Sequence, residues 1–139
     1  AVVHGGATNH RRGLYDAVMV KDNHLAANLT PVDLAERVGE LRSTNPDLKI
    51  EVEADRLDQV EAFLKMPKID VILLDNMSND ELREAVEKRN RIDEGIRLEA
   101  SGGVNLDTIK AIAETGVDFI SAGALTHSVR SIDLGLDLA

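Results

Sequence analysis

Five short β-rich runs, each separated from the next by a longer stretch of helical spacing, constrain this chain more than any other feature. The runs are Ala17 to Lys21, Lys49 to Glu53, Asp70 to Leu74, Ile96 to Ala100 and Val117 to Ser121. Strands joined by segments of that length do not pair as tight hairpins; they lie parallel, with crossover helices between them. Helix starts are marked by Thr30 with Pro31 at the first helical position, and by Ser78 with Glu81 three residues on. Another start is marked by Asn105 or Leu106, opening a helix expected to run to Thr115. Gly116 is placed to close that helix, and Ile132 to Leu138 would add a last strand or a short helical tail. Units of this kind suit a β/α barrel or a doubly wound, flavodoxin-like sheet, and composition does not separate the two. Five strands do not close an eight-stranded barrel, so the barrel reading is a partial, open one. With 139 residues, 43% of them hydrophobic, one domain with a modest core is expected.

Architectures of this kind place their chemistry at the C-terminal ends of the strands, and here those ends are polar. Lys21 ends the first run. Glu51 and Glu53 lie two apart on the second and so face the same side, and Asp75 ends the third. Glu99 and Ser101 end the fourth, and Gly123 the fifth. A parallel strand covered on both faces reads apolar throughout, so carboxylates there need a cation, a metal or hydroxyls. For Glu53 and Asp75 an ordinary salt bridge or a helix cap competes with a functional role. As a pair on neighbouring strands they suit Mg²⁺ or the two hydroxyls of a ribose. Lys21 is either a surface cation or a cation for a ligand.

The stretch Leu98-Glu99-Ala100-Ser101-Gly102-Gly103-Val104 passes from an apolar run through a glycine pair into a helix. Adjacent glycines let the backbone approach an anion, and the helix after them is expected to aim its free N–H groups at the same spot. One unit later Phe119-Ile120-Ser121-Ala122-Gly123-Ala124 repeats the pattern. A lone glycine pair is also simply a tight turn; two such loops in succession are how a barrel builds a phosphate site. Ahead of the first run, His10 and Arg11 offer an imidazole and a fork of donors suited to a carboxylate, although such a dipeptide is often a solvated turn. His4, His24 and His127 lack the spacing of zinc-binding helices.

Composition removes other classes. A net charge of −9 argues against nucleic acid, as does the scarcity of aromatics, which are Tyr15, Phe63 and Phe119. The absence of cysteine excludes disulfides and thiolate metal sites and fits a reducing compartment. No apolar run approaches the ~20 residues of a membrane span, and no signal peptide is visible.

Several segments together resemble, almost end to end, the C-terminal part of the quinolinate phosphoribosyltransferase family. They are Asn9-His10-Arg11-Arg12-Gly13-Leu14, Val20-Lys21-Asp22-Asn23-His24, Glu51-Val52-Glu53, Leu73-Leu74-Asp75-Asn76-Met77, Leu98 to Gly103, Thr115-Gly116-Val117-Asp118 and Gly123-Ala124-Leu125-Thr126-His127-Ser128. The resemblance implies that residues 1–139 are the C-terminal portion of an α/β-barrel phosphoribosyltransferase. The fold it implies is an open barrel of about five parallel strands, without the N-terminal sandwich domain and first barrel strands.

The activity it implies is that of a cytoplasmic pentosyltransferase of NAD biosynthesis. Quinolinate and phosphoribosyl pyrophosphate would give nicotinate mononucleotide, pyrophosphate and CO₂, with Mg²⁺ as cofactor. Position by position, the resemblance implies that His10, Arg11 and Lys21 hold the dicarboxylate. Glu53 and Asp75 would meet the ribose hydroxyls and the metal-bound side of the donor. Ser101, Gly102, Gly103, Ala122, Gly123 and Ala124 would cradle the 5′-phosphate, and Lys21, Glu53 and Asp75 would be the catalytic residues. No direct metal ligand is assigned; Glu53 and Asp75 are the groups placed to meet Mg²⁺.

Members of the family are much longer, supply further arginines and a lysine from their N-terminal parts, and are homo-oligomers, typically dimers. A chain that begins Ala1-Val2-Val3-His4 without an initiator Met is therefore expected to be a piece of such a protein, inactive by itself. Two other readings stay open. One is a phosphoribosyltransferase-like relative of the molybdenum-transport type acting on another acid; the other is a non-catalytic, phosphate-binding half-barrel.

Overall fold

The computed structural model describes residues 2–11, 13, 16–21, 31–128, 133 and 135–136. Five strands, β1 (Ala17–Val20), β2 (Lys49–Ala54), β3 (Val71–Asp75), β4 (Arg97–Ser101) and β5 (Phe119–Ile120), form one parallel sheet in the order β1-β2-β3-β4-β5. Helices α1 (Pro31–Thr44), α2 (Leu57–Leu64), α3 (Asn79–Ile92) and α4 (Ile109–Ala113) connect them. A short α5 (Ala124–His127) follows β5, and a single 3₁₀ turn spans Val3–Gly5.

The strand order separates the two architectures that composition left open. A doubly wound sheet reverses direction at a switch point and so covers both faces with helices. Here each strand is added on the same side of its predecessor, and right-handed crossovers then put every connecting helix on one face. The core confirms the placement. Ile50, Val52, Ala54, Ile72, Leu74, Leu98 and Ala100 of the strands pack with Leu34 and Val38 of α1, Val60, Phe63 and Leu64 of α2, Leu82 and Ala85 of α3 and Ile112 of α4. Each Val, Leu, Ile or Phe side chain among them contributes about 1.5–3 kcal/mol on burial. Because strand side chains alternate, the odd-numbered set faces away from the helices: Met19, Glu51, Glu53, Val71, Leu73, Glu99 and Phe119. This is the inner wall of an open β/α barrel.

Local chemistry explains most element boundaries. Pro31 opens α1 as expected, while Thr30 lies outside the described residues. Ser78 and Glu81 form the expected capping box: the Glu81 carboxylate takes the Ser78 N–H at 2.8 Å, and Ser78 Oγ takes the Glu81 N–H at 3.4 Å. The start of α2 carries no Ser, Thr, Asp or Asn at its cap. Gln59 Oε1 instead accepts the N–H groups of Asp55 (2.9 Å) and Arg56 (3.2 Å).

The glycine pair gives one correction. The regular helix expected from Asn105 is confined to Ile109–Ala113; Asn105 still caps the turn ahead of it, its Oδ1 accepting the N–H groups of Asp107 and Thr108 (2.9 and 3.1 Å) and its carbonyl that of Ile109 (2.9 Å). Gly116 lies beyond the helix end with φ +93°, its N–H reaching Ala113 O at 3.4 Å. β5 is shorter than the run Val117 to Ser121. The tail expected over Ile132 to Leu138 lies largely outside the described residues.

The sheet's lower edge carries the same clamp twice. Asp70, just before β3, donates its N–H to Ile50 O (3.0 Å), while its carboxylate accepts the Ile50 N–H (2.7 Å) and pairs with Arg42 of α1. Asp118, just before β5, bonds Leu98 in the same way (2.9 Å each) and pairs with Arg89 of α3 at 2.7 Å. Each aspartate is 20 residues from the strand it grips. Two successive units of the chain are thus built to one plan that no repeat in the sequence announces.

Candidate active site

The inner face of the sheet and the segment ahead of β1 enclose a cavity of ≈ 1090 Å³. Its wall includes His10 and Arg11, Lys21 after β1, Glu53 on β2, Asp75 on β3, and Glu99 with Ser101 on β4. The turns at Gly102-Gly103 and Ala122-Gly123-Ala124 complete it. Every candidate site residue read from the sequence therefore lines one space: Lys21, Glu53, Asp75, Ser101 and the glycine turns lie towards the strand C-terminal ends, where a barrel places its chemistry, and His10 and Arg11 lie on the segment ahead of β1.

The carboxylates have the partners their burial requires. Lys21 Nζ lies 3.3 Å from Glu53 Oε2 where β1 and β2 end side by side. Glu51 and Glu99 are 1% and 3% exposed, and His10 lies between them: its Nε2 is 3.1 Å from Glu51 Oε2 and 3.4 Å from Glu99 Oε1. The hydroxyl of Ser121 also donates to Glu99 Oε1. Burial raises the Glu51 carboxyl above its ordinary range, and the charge of Glu99 pushes the same way. His10, by charge and hydrogen bond, and Lys49 oppose them without cancelling them. His10, Glu51 and Glu99 together form a three-donor group with all ligand atoms within 4.8 Å. As arranged, His10 is hydrogen-bonded to Glu51, and Glu99 stands beside the same nitrogen.

Asp75 is half-buried; its Oδ2 accepts from Asn76 Nδ2 at 2.8 Å. Arg11 donates through Nη1 to Ala17 O at 3.5 Å, which anchors it at the start of β1. His24, quoted among the family-like segments, lies outside the described residues.

The first glycine turn is shaped for an anion. Gly102 and Gly103 have φ of +89° and +61°, and the Gly103 carbonyl is drawn away by Asn105 Nδ2 and Thr108 Oγ1, each at 3.3 Å. Among the described residues none accepts from the N–H groups of Gly102, Gly103 or Val104. Successive backbone N–H groups in such a turn form an anion nest, and here the nest replaces the helix N-terminus expected from the sequence. In the second turn Gly123 sits beneath the His127 ring: a Cβ there would lie 2.9 Å from Nε2.

Glu51, Glu99 and Ser121 carried no assigned role in the sequence. Their parity along the strands was the available signal, since positions 51 and 53, 99 and 101, and 119 and 121 alternate onto the inner face. Nothing local joins them to His10, which is 41 residues from Glu51.

Comparison with known proteins gives a consistent pattern. The family model described as "Quinolinate phosphoribosyl transferase, C-terminal domain" matches residues 1–137. The chain is 45% identical over 138 residues to a nicotinate-nucleotide pyrophosphorylase [carboxylating] of Mycobacterium leprae, covering 99% of this chain and 47% of that protein. It is 40% identical to the chloroplastic protein of the same name in Arabidopsis thaliana, covering 99% of this chain and 43% of that one. Among solved structures, the nicotinate-nucleotide pyrophosphorylase of Ehrlichia chaffeensis superposes with a TM-score of 0.81 at 40% identity, covering 96% of this chain and 46% of that one. The chain thus spans a little under half the length of the relatives it matches.

Proposed function

The chain belongs to the quinolinate phosphoribosyl transferase family, matching its C-terminal domain, and from that premise we propose that it supplies the phosphate-, ribose- and quinolinate-binding half of a phosphoribosyltransferase site. The reaction is phosphoribosyl transfer from phosphoribosyl pyrophosphate to quinolinate with decarboxylation, giving nicotinate mononucleotide, pyrophosphate and CO₂. The observation that carries this reading is the meeting, in one cavity, of His10, Arg11 and Lys21 with the carboxylates of Glu53 and Asp75 and the two glycine turns. In a chain of net charge −9, three basic residues lining one cavity favour an anionic ligand.

His10, Arg11 and Lys21 hold the two carboxylates of quinolinate, with the planar guanidinium suited to a bidentate grip. Ser101, Gly102, Gly103, Ala122, Gly123 and Ala124 cradle the 5′-phosphate. Departure of pyrophosphate leaves positive charge on the anomeric carbon and ring oxygen, and the fixed carboxylate of Glu53 lowers that barrier while Glu53 and Asp75 accept from the ribose hydroxyls. Loss of CO₂ then leaves negative charge on the pyridine ring, which the same three basic residues stabilise. Lys21 acts in both halves, since its ammonium lies against Glu53 and reaches the dicarboxylate.

The donor chemistry fits Mg²⁺. Asp75 offers a hard oxygen at the cavity mouth, Oδ1, that no described residue bonds, whereas Glu53 Oε2 is already engaged by Lys21. Asp75 would hold the ion together with the donor's phosphates, and Mg²⁺ when bound supplies neutralisation of the pyrophosphate charge. The homo-oligomeric assembly and cytoplasmic setting of the family belong to the same reading. Among the described residues no helix is long and apolar enough to cross a membrane.

Calorimetric titration tests the proposal. Quinolinate is expected to bind the chain and to lose its affinity in Arg11→Ala. Binding of ribose 5-phosphate without quinolinate would instead favour a relative acting on another acid.

A further inference from the structure

Glu51 and Glu99 have no part in the roles above, yet they are the most deeply buried acids among the described residues, and both point at one atom. His10 Nε2 meets Glu51 Oε2 at 3.1 Å and Glu99 Oε1 at 3.4 Å. Ionised carboxylates only accept hydrogen bonds, so a nitrogen that faces two of them does so as a donor. The competing arrangement has a protonated Glu51 donating to a bare Nε2. Glu99 opposes it: Ser121 Oγ holds its Oε1 in place, and the inward nitrogen then needs a proton to meet that oxygen. Among the described residues none bonds Nδ1 of His10, whose side chain is 30% exposed and lines the cavity.

We propose that Glu51 and Glu99 are positioning residues: together they hold the His10 imidazole with a proton on Nε2, turned onto the sheet, and leave Nδ1 turned to the cavity, where it donates to a ligand carboxylate once the ring carries its second proton. This extends the reading that His10 binds quinolinate, and rests on it for the identity of the ligand. The physical logic is that of a carboxylate behind a histidine, which fixes ring orientation and tautomer without touching the substrate. Here two strands supply the carboxylates and the β5 exit supplies the hydroxyl that steadies one of them.

Long-range proton–nitrogen spectra of the imidazole-labelled 139-residue chain read the tautomer directly. His10 is expected to show nitrogen shifts of the Nε2–H form. In the isosteric Glu51→Gln/Glu99→Gln chain, where each amide offers both donor and acceptor, those shifts are expected to move towards a mixture of forms. Quinolinate affinity is expected to fall about tenfold in that variant, with ribose 5-phosphate affinity unchanged. The single Glu99→Gln chain serves if the double variant does not fold. A wild-type His10 protonated at Nδ1 alone overturns the proposal, as do variants whose nitrogen shifts and quinolinate affinity match the wild type. Spectra that behave as expected while the wild-type chain fails to bind quinolinate support the positioning of His10 and overturn the substrate reading instead.

Discussion

Gly102 and Asn76 stand against each other where β4 and β3 end: a methyl group on Gly102 would lie 2.1 Å from Asn76 Oδ1 and 3.0 Å from the Asn76 backbone nitrogen. The asparagine side chain can swing aside, but its backbone cannot, because its N–H is bonded to Ser101 O at 2.9 Å and its own φ is +54°. Gly102→Ala is therefore expected to destabilise the chain by ~1–3 kcal/mol through backbone strain and crowding. Gly103→Ala meets no atom within 4 Å and is expected to cost less. Urea unfolding midpoints check this; equal losses at the two positions would mean that the contact with Asn76 is immaterial.

The anion nest makes a separate claim about binding. Titration with ribose 5-phosphate is expected to shift the amide resonances of Gly102, Gly103, Val104 and Gly123 more than those of the helix-covered core. Gly102→Val, whose side chain collides with Asn76 and so forces the turn out of shape, is expected to weaken binding about tenfold or more. Unchanged affinity in that variant would remove the phosphate assignment.

Asp118 gives the stability its acid arm. Burial pushes its carboxyl up, but the Leu98 N–H and the guanidinium groups of Arg97 and Arg89 together outweigh that and hold it below the ordinary aspartate range. A native value below the unfolded one means that the stabilisation is complete above about pH 4 and is lost as the pH falls through the native value. Asp118→Asn is expected to destabilise the chain by ~2 kcal/mol at neutral pH, because Arg89, only 8% exposed, loses its partner. Chemical denaturation at pH 7 and pH 3 checks both points: the variant's deficit should shrink at the lower pH.

Glu61 ties α2 to α3 on the solvent side. Hydrogen bonds and charge from Lys65 and Lys88 lower its carboxyl to about 2. Its contribution to stability is therefore present above the unfolded value near 4 and lost as the pH falls towards 2. Carboxyl carbon titration by NMR is expected to give a midpoint near 2 at low salt, rising with ionic strength as the exposed charges are screened.

Local physics made much of this protein legible before its structure. The capping box of Ser78 and Glu81, the proline at the head of α1 and the strand parity of Glu51 and Glu53 depend on neighbours a few residues away, and sequence spacing reports those directly. The same holds for the backbone freedom needed at Gly102 and Gly103, and for the statement that buried strand-end carboxylates need cations or hydroxyls, which Lys21, His10 and Ser121 supply. The length of the helix after the glycine pair was not legible: Asn105 caps the first turn as its residue type suggests, yet the regular helix covers only Ile109–Ala113.

The order of the sheet belongs to tertiary structure alone. Alternating strands and helices satisfy a barrel wall and a doubly wound sheet equally. The choice depends on the side to which each crossover adds its strand, a property of packing between elements and not of any one of them. The seating of His10 against Glu51 and Glu99 has the same origin. Three segments far apart in the chain meet because β2 and β4 flank β3 with their inner positions on one side of the sheet, Glu99 in register with Glu53 and one inner position on from Glu51, and two buried charges there are tolerable only where a donor from elsewhere in the chain reaches both.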